Sequence, residues 1–204
     1  CIGMMKGIEF PDVSRETLER LEVYERLLRK WNPKINLVST STLDDLWGRH
    51  FRDSAQLLTF SRDFGAWVDL GSGGGFPGMV IAILGMGKDR SFTLVESDQR
   101  KAAFLSTVAR EASVKVNVIS QRSEAIPPLK ADVVSARALA PLPRLLSMVE
   151  RHLAQNGVAL LPKGRGVERE IHEALEKFRF DVQKFPSETD PNGVILKIEG
   201  LSRV

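Results

Sequence analysis

Residues 67–78 read WVDLGSGGGFPG, and this stretch decides the fold. Its first four residues are a short apolar run, the pattern of a buried strand. The run breaks into Gly71, Ser72 and three further glycines, and Pro77 then opens an apolar segment over 79–84. Strand, glycine-rich turn and helix in that order form the first unit of a nucleotide-binding α/β fold. Glycine serves such a turn by tolerating positive φ and by letting the backbone approach a ligand with no Cβ in the way. Proline suits the first helical turn, where an N–H is not needed.

The glycines can be framed in two ways. Gly73-x-Gly75-x-x-Gly78 fits the dinucleotide fingerprint. Asp69-x-Gly71-x-Gly73-x-Gly75 resembles motif I of the class I S-adenosylmethionine (SAM) methyltransferases. An acidic strand end suits a cationic sulfonium and amino group better than a pyrophosphate, which favours bare N–H groups. The next apolar run, 91–96, ends in Glu96. An acid roughly 20 residues past the glycines can accept from ribose hydroxyls, a feature common to NAD and SAM sites.

A chain of 204 residues makes one large domain, or a domain with an appendage, and can bury a sizeable core. No apolar run approaches the ~20 residues of a membrane span, and no signal-peptide pattern is visible. The single cysteine, Cys1, rules out an intrachain disulfide and a cysteine-based metal site, which fits a reducing cytoplasm. The first five residues suggest a lost start or a remnant and carry no inference. A net charge of +3 permits a nucleic-acid partner and equally fits a mildly basic solvated surface.

Residues 1–65 are expected to form an N-terminal helical extension and 66–204 one compact domain. In the extension, Leu18, Leu21, Tyr24, Leu28 and Trp31 recur at helical spacing over 13–31, with Ser14 as N-cap and Asn32-Pro33 as the stop. Ser41 or Thr42 caps a second helical stretch whose apolar stripe includes His50, flanked by Arg49 and Arg52, with Asp53 a turn after Arg49. The stripe position makes His50 a core histidine or a site residue in equal measure, and Arg49–Asp53 an i,i+4 ion pair. Beyond the glycines the pattern gives a helix over 99–111, strands over 115–120 and 131–136, a helix over 142–153, a turn at Asn156-Gly157, a strand over 158–162, a helix over 167–178, and strands over 180–185 and 194–198. Alternating strands and helices make a mainly parallel doubly wound sheet. The last two strands are too close for a helical crossover and should pair antiparallel, as in the SAM-methyltransferase version of the Rossmann fold. Ligands in such sheets sit at the C-terminal strand ends, so Gly71 to Gly75, Glu96, Ser123, Glu124 and Arg137 should line one rim.

For a methyltransferase the residues narrow the chemistry. Methylating carbon 5 of a pyrimidine needs a cysteine nucleophile, and Cys1 lies outside any site. Exocyclic-amine methylation usually uses an Asp/Asn-Pro-Pro-aromatic turn after strand four, where this chain has Ala136-Arg137-Ala138-Leu139-Ala140-Pro141. Metal-dependent transfer needs a carboxylate cluster there, and none is seen. What remains includes attack by ring nitrogen 7 of guanine, which has a free lone pair and no proton to lose, so that positioning can carry most of the rate.

Taken together, the chain resembles the bacterial 16S ribosomal RNA guanine-N7 methyltransferases, the glucose-inhibited division protein B family, over residues 27–198. The motifs are residues 31–37 (WNPKINL), Arg49-His50-x-x-Asp53-Ser54, the glycine loop with its Phe76-Pro77-Gly78 ending, Arg137-Ala138-Leu139-Ala140 and Lys163-Gly164. The resemblance implies a Rossmann-like class I fold with seven strands, mainly parallel with an antiparallel last strand. It implies SAM as donor and a guanine of the 530 loop (conventionally position 527) as acceptor, in 16S rRNA, the small subunit or an assembly intermediate. Gly71 and Phe76 would contact SAM, Gly73 and Gly75 shape the loop, Glu96 hold the ribose, Ser123 and Glu124 meet the adenine, and Arg137 close the cofactor pocket. Arg49, His50, Asp53 and Lys163 would face the acceptor, Lys163 reaching a phosphate or the guanine oxygen. No metal and no membrane are implied, and a monomer is expected. Two positions depart from the family pattern: Ala136, where serine is frequent, and Asn192-Gly193, where a basic residue is expected. A SAM-dependent enzyme for a small acceptor, and an NAD-binding oxidoreductase or nucleotide-binding module, are the competing readings.

Overall fold

The computed structural model describes residues 13–61, 63–86 and 89–204; Cys1 and the first five residues fall outside these. Seven strands form one sheet in the order β3-β2-β1-β4-β5-β7-β6. They are β1 (Ala66–Leu70), β2 (Ser91–Val95), β3 (Asn117–Ile119), β4 (Ala131–Ser135), β5 (Leu153–Lys163), β6 (Phe178–Pro186) and β7 (Val194–Arg203). The first five run parallel, and β7 lies antiparallel between β5 and β6, as the short connection demands.

Side chains alternate between two buried faces. Trp67, Phe92, Leu94, Val133 and Leu160 pack on the side of α1 (Arg15–Ile35), α3 (Gly78–Leu84) and α4 (Gln99–Glu111). Val68, Leu70, Val134, Leu161 and Leu196 pack against α5 (Leu142–His152) and α6 (Val167–Leu175). The N-terminal segment shares the first of these cores: Leu21, Tyr24, Leu28, Phe51 and Leu57 belong to the same cluster as Trp67. Among the described residues no helix is long and apolar enough to cross a membrane.

Ser14 caps α1, its Oγ accepting from the Thr17 N–H at 3.1 Å. The expected stop at Asn32-Pro33 is not where the helix ends; α1 continues through Pro33 to Ile35. A proline this near the C-terminus removes one hydrogen bond, and Asn32 supplies the exit instead. Its Oδ1 accepts from the N–H groups of both Leu37 and Val38 at 2.8 Å while Asn36 turns left-handed.

The second helical stretch exists but is not one α-helix. It runs as a 3₁₀ turn (Thr40–Asp45), a π turn (Trp47–Arg52), the short α2 (Asp53–Ala55) and another 3₁₀ turn (Gln56–Thr59). Its N-cap is Ser39 rather than Ser41 or Thr42; the Thr42 hydroxyl is occupied elsewhere, as described below. Asn156-Gly157 makes no free turn either. Both lie within β5, where Ala131 pairs with Leu153 and Val133 with Val158, so the surplus residues of β5 are taken up as an irregularity in the ladder. Helix α6 stops at Leu175 and Phe178 already belongs to β6.

The loop between β6 and β7 is tied to the N-terminal segment through buried Gln56. Its Nε2 donates to the Asp53 carbonyl and Oδ1 at 2.9 Å and to Ser187 Oγ at 3.3 Å, and its Oε1 accepts the Glu188 N–H at 2.9 Å. Substituting Gln56→Ala is expected to lower stability by about 1–3 kcal/mol, since it strands a backbone donor. Amide exchange should accelerate at Glu188 while β3 is left unchanged, which hydrogen-exchange mass spectrometry would read.

Candidate functional site

The glycine turn follows the C-terminal end of β1 and is held from behind. The Gly71 and Ser72 N–H groups donate to the Val95 carbonyl at 2.8 and 3.1 Å. Glu96 Oε2 accepts the Gly73 N–H and Glu96 Oε1 the Asp98 N–H, both at 2.8 Å. The Tyr24 hydroxyl donates to the Gly74 carbonyl, so the N-terminal segment shapes the turn directly. Gly71 and Gly75 have φ of 66° and 97°. A Cβ on Gly75 would collide with the Tyr24 hydroxyl, and one on Gly71 with Leu139 Cδ1.

Asp69 does not face a ligand. It has no exposed surface, Oδ1 accepts from Ser135 Oγ at 2.7 Å, and Oδ2 accepts the Gly78 N–H at 3.2 Å. Ser135 in turn accepts from Trp67 Nε1 at 2.9 Å. Burial raises the Asp69 carboxyl from 3.8 to about 6, against the lowering effect of its hydrogen bonds to Ser135, Ser72 and Gly78. The sequence-level idea that this acid meets a cationic group is therefore replaced: the carboxylate braces β1, β4 and α3 from inside.

Two cavities open on the rim. The smaller, of about 120 Å³, is lined by Gly71, Ser123, Glu124, Leu139 and Met148 among others. Ser123 is set by buried His152, whose Nε2 donates to the Ser123 carbonyl at 2.9 Å; burial lowers the His152 pKa, and the ring is neutral. Ser123 Oγ donates to Glu124 Oε2 at 3.0 Å, and the Glu124 carboxyl is held below its ordinary value, chiefly by a hydrogen bond to its own backbone.

The larger cavity, of about 650 Å³, is lined by Arg49, His50, Asp53, Arg137, Leu139 and Lys163 among others. Arg137, which the rim argument grouped with the glycines, is built into this side. Its Nη2 lies 2.9 Å from His50 Nδ1 and its Nη1 3.3 Å from Asp53 Oδ2. Its guanidinium stands 5.2 Å from the Phe76 ring centroid. Asp53 thus pairs with Arg137, and its Oδ1 accepts from Thr189 Oγ1 at 2.7 Å; no Arg49–Asp53 bridge forms. Phe76 is 3% exposed, stacked between Tyr24 at 5.4 Å and His50 at 4.8 Å. Lys163 donates to the Ala140 carbonyl at 2.9 Å and to Glu170 Oε2 at 2.8 Å.

The tautomer of His50 follows from its neighbours. A guanidinium only donates, so Nδ1 accepts and the ring proton sits on Nε2, which donates to Thr42 Oγ1 at 2.8 Å. Thr42 passes its own hydrogen to the Ser39 carbonyl, also at 2.8 Å. Burial, then the charges of Arg137 and Arg49, lower the His50 pKa from 6.5 to about 3.

The site residues divide cleanly. Gly71, Ser123 and Glu124 line the small cavity, Gly73 and Glu96 brace the turn, and Arg49, His50, Arg137 and Lys163 line the large one. Sequence reasoning had no role for Glu170 or Thr189, which match no spacing rule, read Thr42 only as a candidate N-cap, and took Leu139 only as part of the Arg137-Ala138-Leu139-Ala140 motif. Tyr24 carried a signal only as a core position. Among the described residues no cluster of three His, Cys, Asp or Glu could hold a metal ion.

This sheet order with an antiparallel β7, and a ligand rim at β1 and β4, define the class I SAM-dependent methyltransferase fold. Solved structures agree: a methyltransferase from Geobacter sulfurreducens superposes with a TM-score of 0.58 at 17% identity, covering 93% of this chain and 90% of that one. A TehB-like SAM-dependent methyltransferase from Corynebacterium glutamicum gives 0.59 at 12% identity, covering 90% and 100%. Within that class the sequence is more specific. The family model for rRNA small subunit methyltransferase G (GidB) matches residues 17–192, and the chain belongs to that family. Relatives named ribosomal RNA small subunit methyltransferase G include those of Ruegeria sp. (strain TM1040), 53% identical over 195 residues and 95% of each chain, and Rhodospirillum centenum (strain ATCC 51521 / SW), 51% identical over 191 residues, 93% of this chain and 87% of the relative.

Two titrations test this geometry. The His50 ring should show the Nε2–H tautomer by nitrogen NMR and stay neutral from pH 8 down to about 4, and Arg137→Met should raise its pKa. For Asp69 the folded chain holds a proton that the unfolded chain releases at lower pH. Its contribution to stability should therefore fall as pH rises from about 4 to about 6 and be level above. The difference corresponds to roughly 3 kcal/mol by linkage, and Asp69→Asn should remove that slope from a pH series of urea unfolding curves.

Proposed function

We propose that this chain transfers a methyl group from SAM to ring nitrogen 7 of a guanine in the 530 loop of 16S rRNA (position 527), acting as a cytoplasmic monomer on the small subunit or its precursor. Family membership supports a small-subunit rRNA acceptor. The observation that carries the chemistry is a cavity whose histidine has its lone pair already taken by Arg137 and so has none to offer a substrate proton.

The donor-side residues fit SAM. Gly71 lines the small cavity, with Leu139 filling the space a Cβ would take. Each Glu96 oxygen accepts one backbone N–H and keeps a second lone pair for a ribose hydroxyl. Ser123, Glu124 and Met148 offer the polar edge and apolar wall an adenine needs. Phe76, pressed between Tyr24 and His50, shapes the turn from behind, while Gly73 and Gly75 give it its path.

When bound, SAM supplies a methyl carbon made electrophilic by its sulfonium, so that a nitrogen–carbon bond forms as the carbon–sulfur bond breaks and the electron pair stays on sulfur. Guanine nitrogen 7 loses no proton, so the protein has none to remove. Accordingly His50 is a fixed wall rather than a base, held neutral by burial and the charges of Arg137 and Arg49, with its tautomer set by Arg137 and Thr42. Arg49, Arg137 and Lys163 supply positive charge for phosphates or the guanine oxygen. Lys163 uses two of its three N–H donors on Ala140 and Glu170 and has one left for an acceptor. Such phosphate contacts make affinity fall steeply with salt.

Incubating labelled SAM with 30S subunits from cells lacking this protein should deposit label as 7-methylguanosine in the 530 loop, identified by mass spectrometry of nuclease fragments. SAM binding without transfer to RNA would return the acceptor to a small molecule. Lys163→Ala should leave SAM affinity within about threefold and lower transfer by at least ~10-fold, or about 1.4 kcal/mol.

A further inference from the structure

The two cavities share one wall. Leu139 and Ala140 line both, and Leu139 is 37% exposed, an unusual amount of open surface for a large apolar residue in this chain. Its side chain lies over the α-carbon of Gly71 in the space that any other residue there would fill. The preceding residue, Ala138, has φ of 51°, a left-handed conformation that costs a non-glycine residue about 1 kcal/mol. The surroundings hold it there. Upstream, Arg137 is bound by His50 and Asp53. Downstream, Lys163 takes the Ala140 carbonyl, and Glu170 Oε2 accepts both Lys163 Nζ and the Leu142 N–H, the latter at 2.6 Å. The Glu170 charge also sits at the N-terminus of α5, where the helix dipole favours it. A segment pinned on both sides, with a strained residue between the pins, places an apolar side chain between the two cavities.

We propose that Leu139 is a positioning residue: an apolar partition between the donor and acceptor cavities that sets the approach of the two substrates and keeps water from the line of transfer. The proposal rests on the methyltransferase reading above. An open apolar surface costs roughly 25 cal/mol per Å² until covered, and donor and acceptor, loaded from opposite sides, are what would cover this one. Because nitrogen and methyl carbon must meet within a few tenths of an ångström of the reactive distance, loss of the wall should slow transfer more than binding.

The test compares Leu139→Ala, Leu139→Val and Leu139→Met with the unaltered chain, with thermal melts to establish folding, calorimetry for SAM, and steady-state transfer to undermethylated 30S subunits. Leu139→Ala is expected to keep SAM affinity and the KM for subunits within about threefold while kcat drops at least ~10-fold. Leu139→Val should fall between, and Leu139→Met should recover most of the rate. Should the alanine variant melt early, the valine and methionine variants carry the same comparison. An unchanged kcat, or a loss confined to SAM affinity or KM, would overturn the partition and leave Leu139 as packing for the glycine turn. Failure of the unaltered chain to bind SAM or to methylate subunits would instead bring down the functional reading, so the two failures are distinguishable.

Discussion

One carboxylate taken wholly out of water organises the ligand-facing end of this sheet. Asp69 receives Ser135 from β4 on one oxygen and the Gly78 N–H, at the start of α3, on the other. Ser135 relays to Trp67, which packs in the first core. The glycine turn between Asp69 and Gly78 is thereby spanned by its own two ends, and β4 is tied to β1 at the level where the rim begins. A buried acid is costly, and the raised pKa is the sign of that cost. It is tolerated because the alternative, unpaired N–H and O–H groups at the same depth, is costly as well and leaves the turn without its brace.

From that brace the site is completed by the N-terminal segment. Tyr24 holds the Gly74 carbonyl, Phe76 is stacked between Tyr24 and His50, and Arg137 reaches across from the end of β4 to His50 and Asp53. Asp53 and Gln56 then bind the β6–β7 loop. A boundary at residue 65 marks a change from helices to sheet, yet the hydrophobic core and the polar network both cross it. The segment before β1 contributes walls of the larger cavity as directly as the strands do.

The strands, the glycine turn, the antiparallel end of the sheet and the helix over Gln99–Glu111 were legible because each depends on neighbours in sequence: apolar period, turn residues, connection length. What escaped depends on partners distant in sequence. Pro33 looks like a stop until the Asn32 side chain is seen to provide the exit by bonding backbone five and six residues later. Asn156-Gly157 looks like a turn until the β4 register absorbs it. Asp69 reads as ligand-facing because strand-end acids often are, and only the third dimension brings Ser135 beneath it. Arg137 was legible as a rim residue, but its side of the rim depends on His50, 87 residues away. Glu170 has no local signature at all.

The electrostatics of the acceptor side bear on how such a site can work without a base. Arg49, Arg137 and Lys163 line the larger cavity together with Asp53, Glu170 and Asp190. Arg137 is paired with Asp53 and Lys163 with Glu170, and the imidazole there is kept neutral by burial and by Arg137 and Arg49. A proton acceptor placed among those charges would be poor, since each neighbouring cation lowers its affinity for a proton. The imidazole is thus ill suited to take a proton from a substrate, and an acceptor that arrives with its lone pair already free makes no such demand of it.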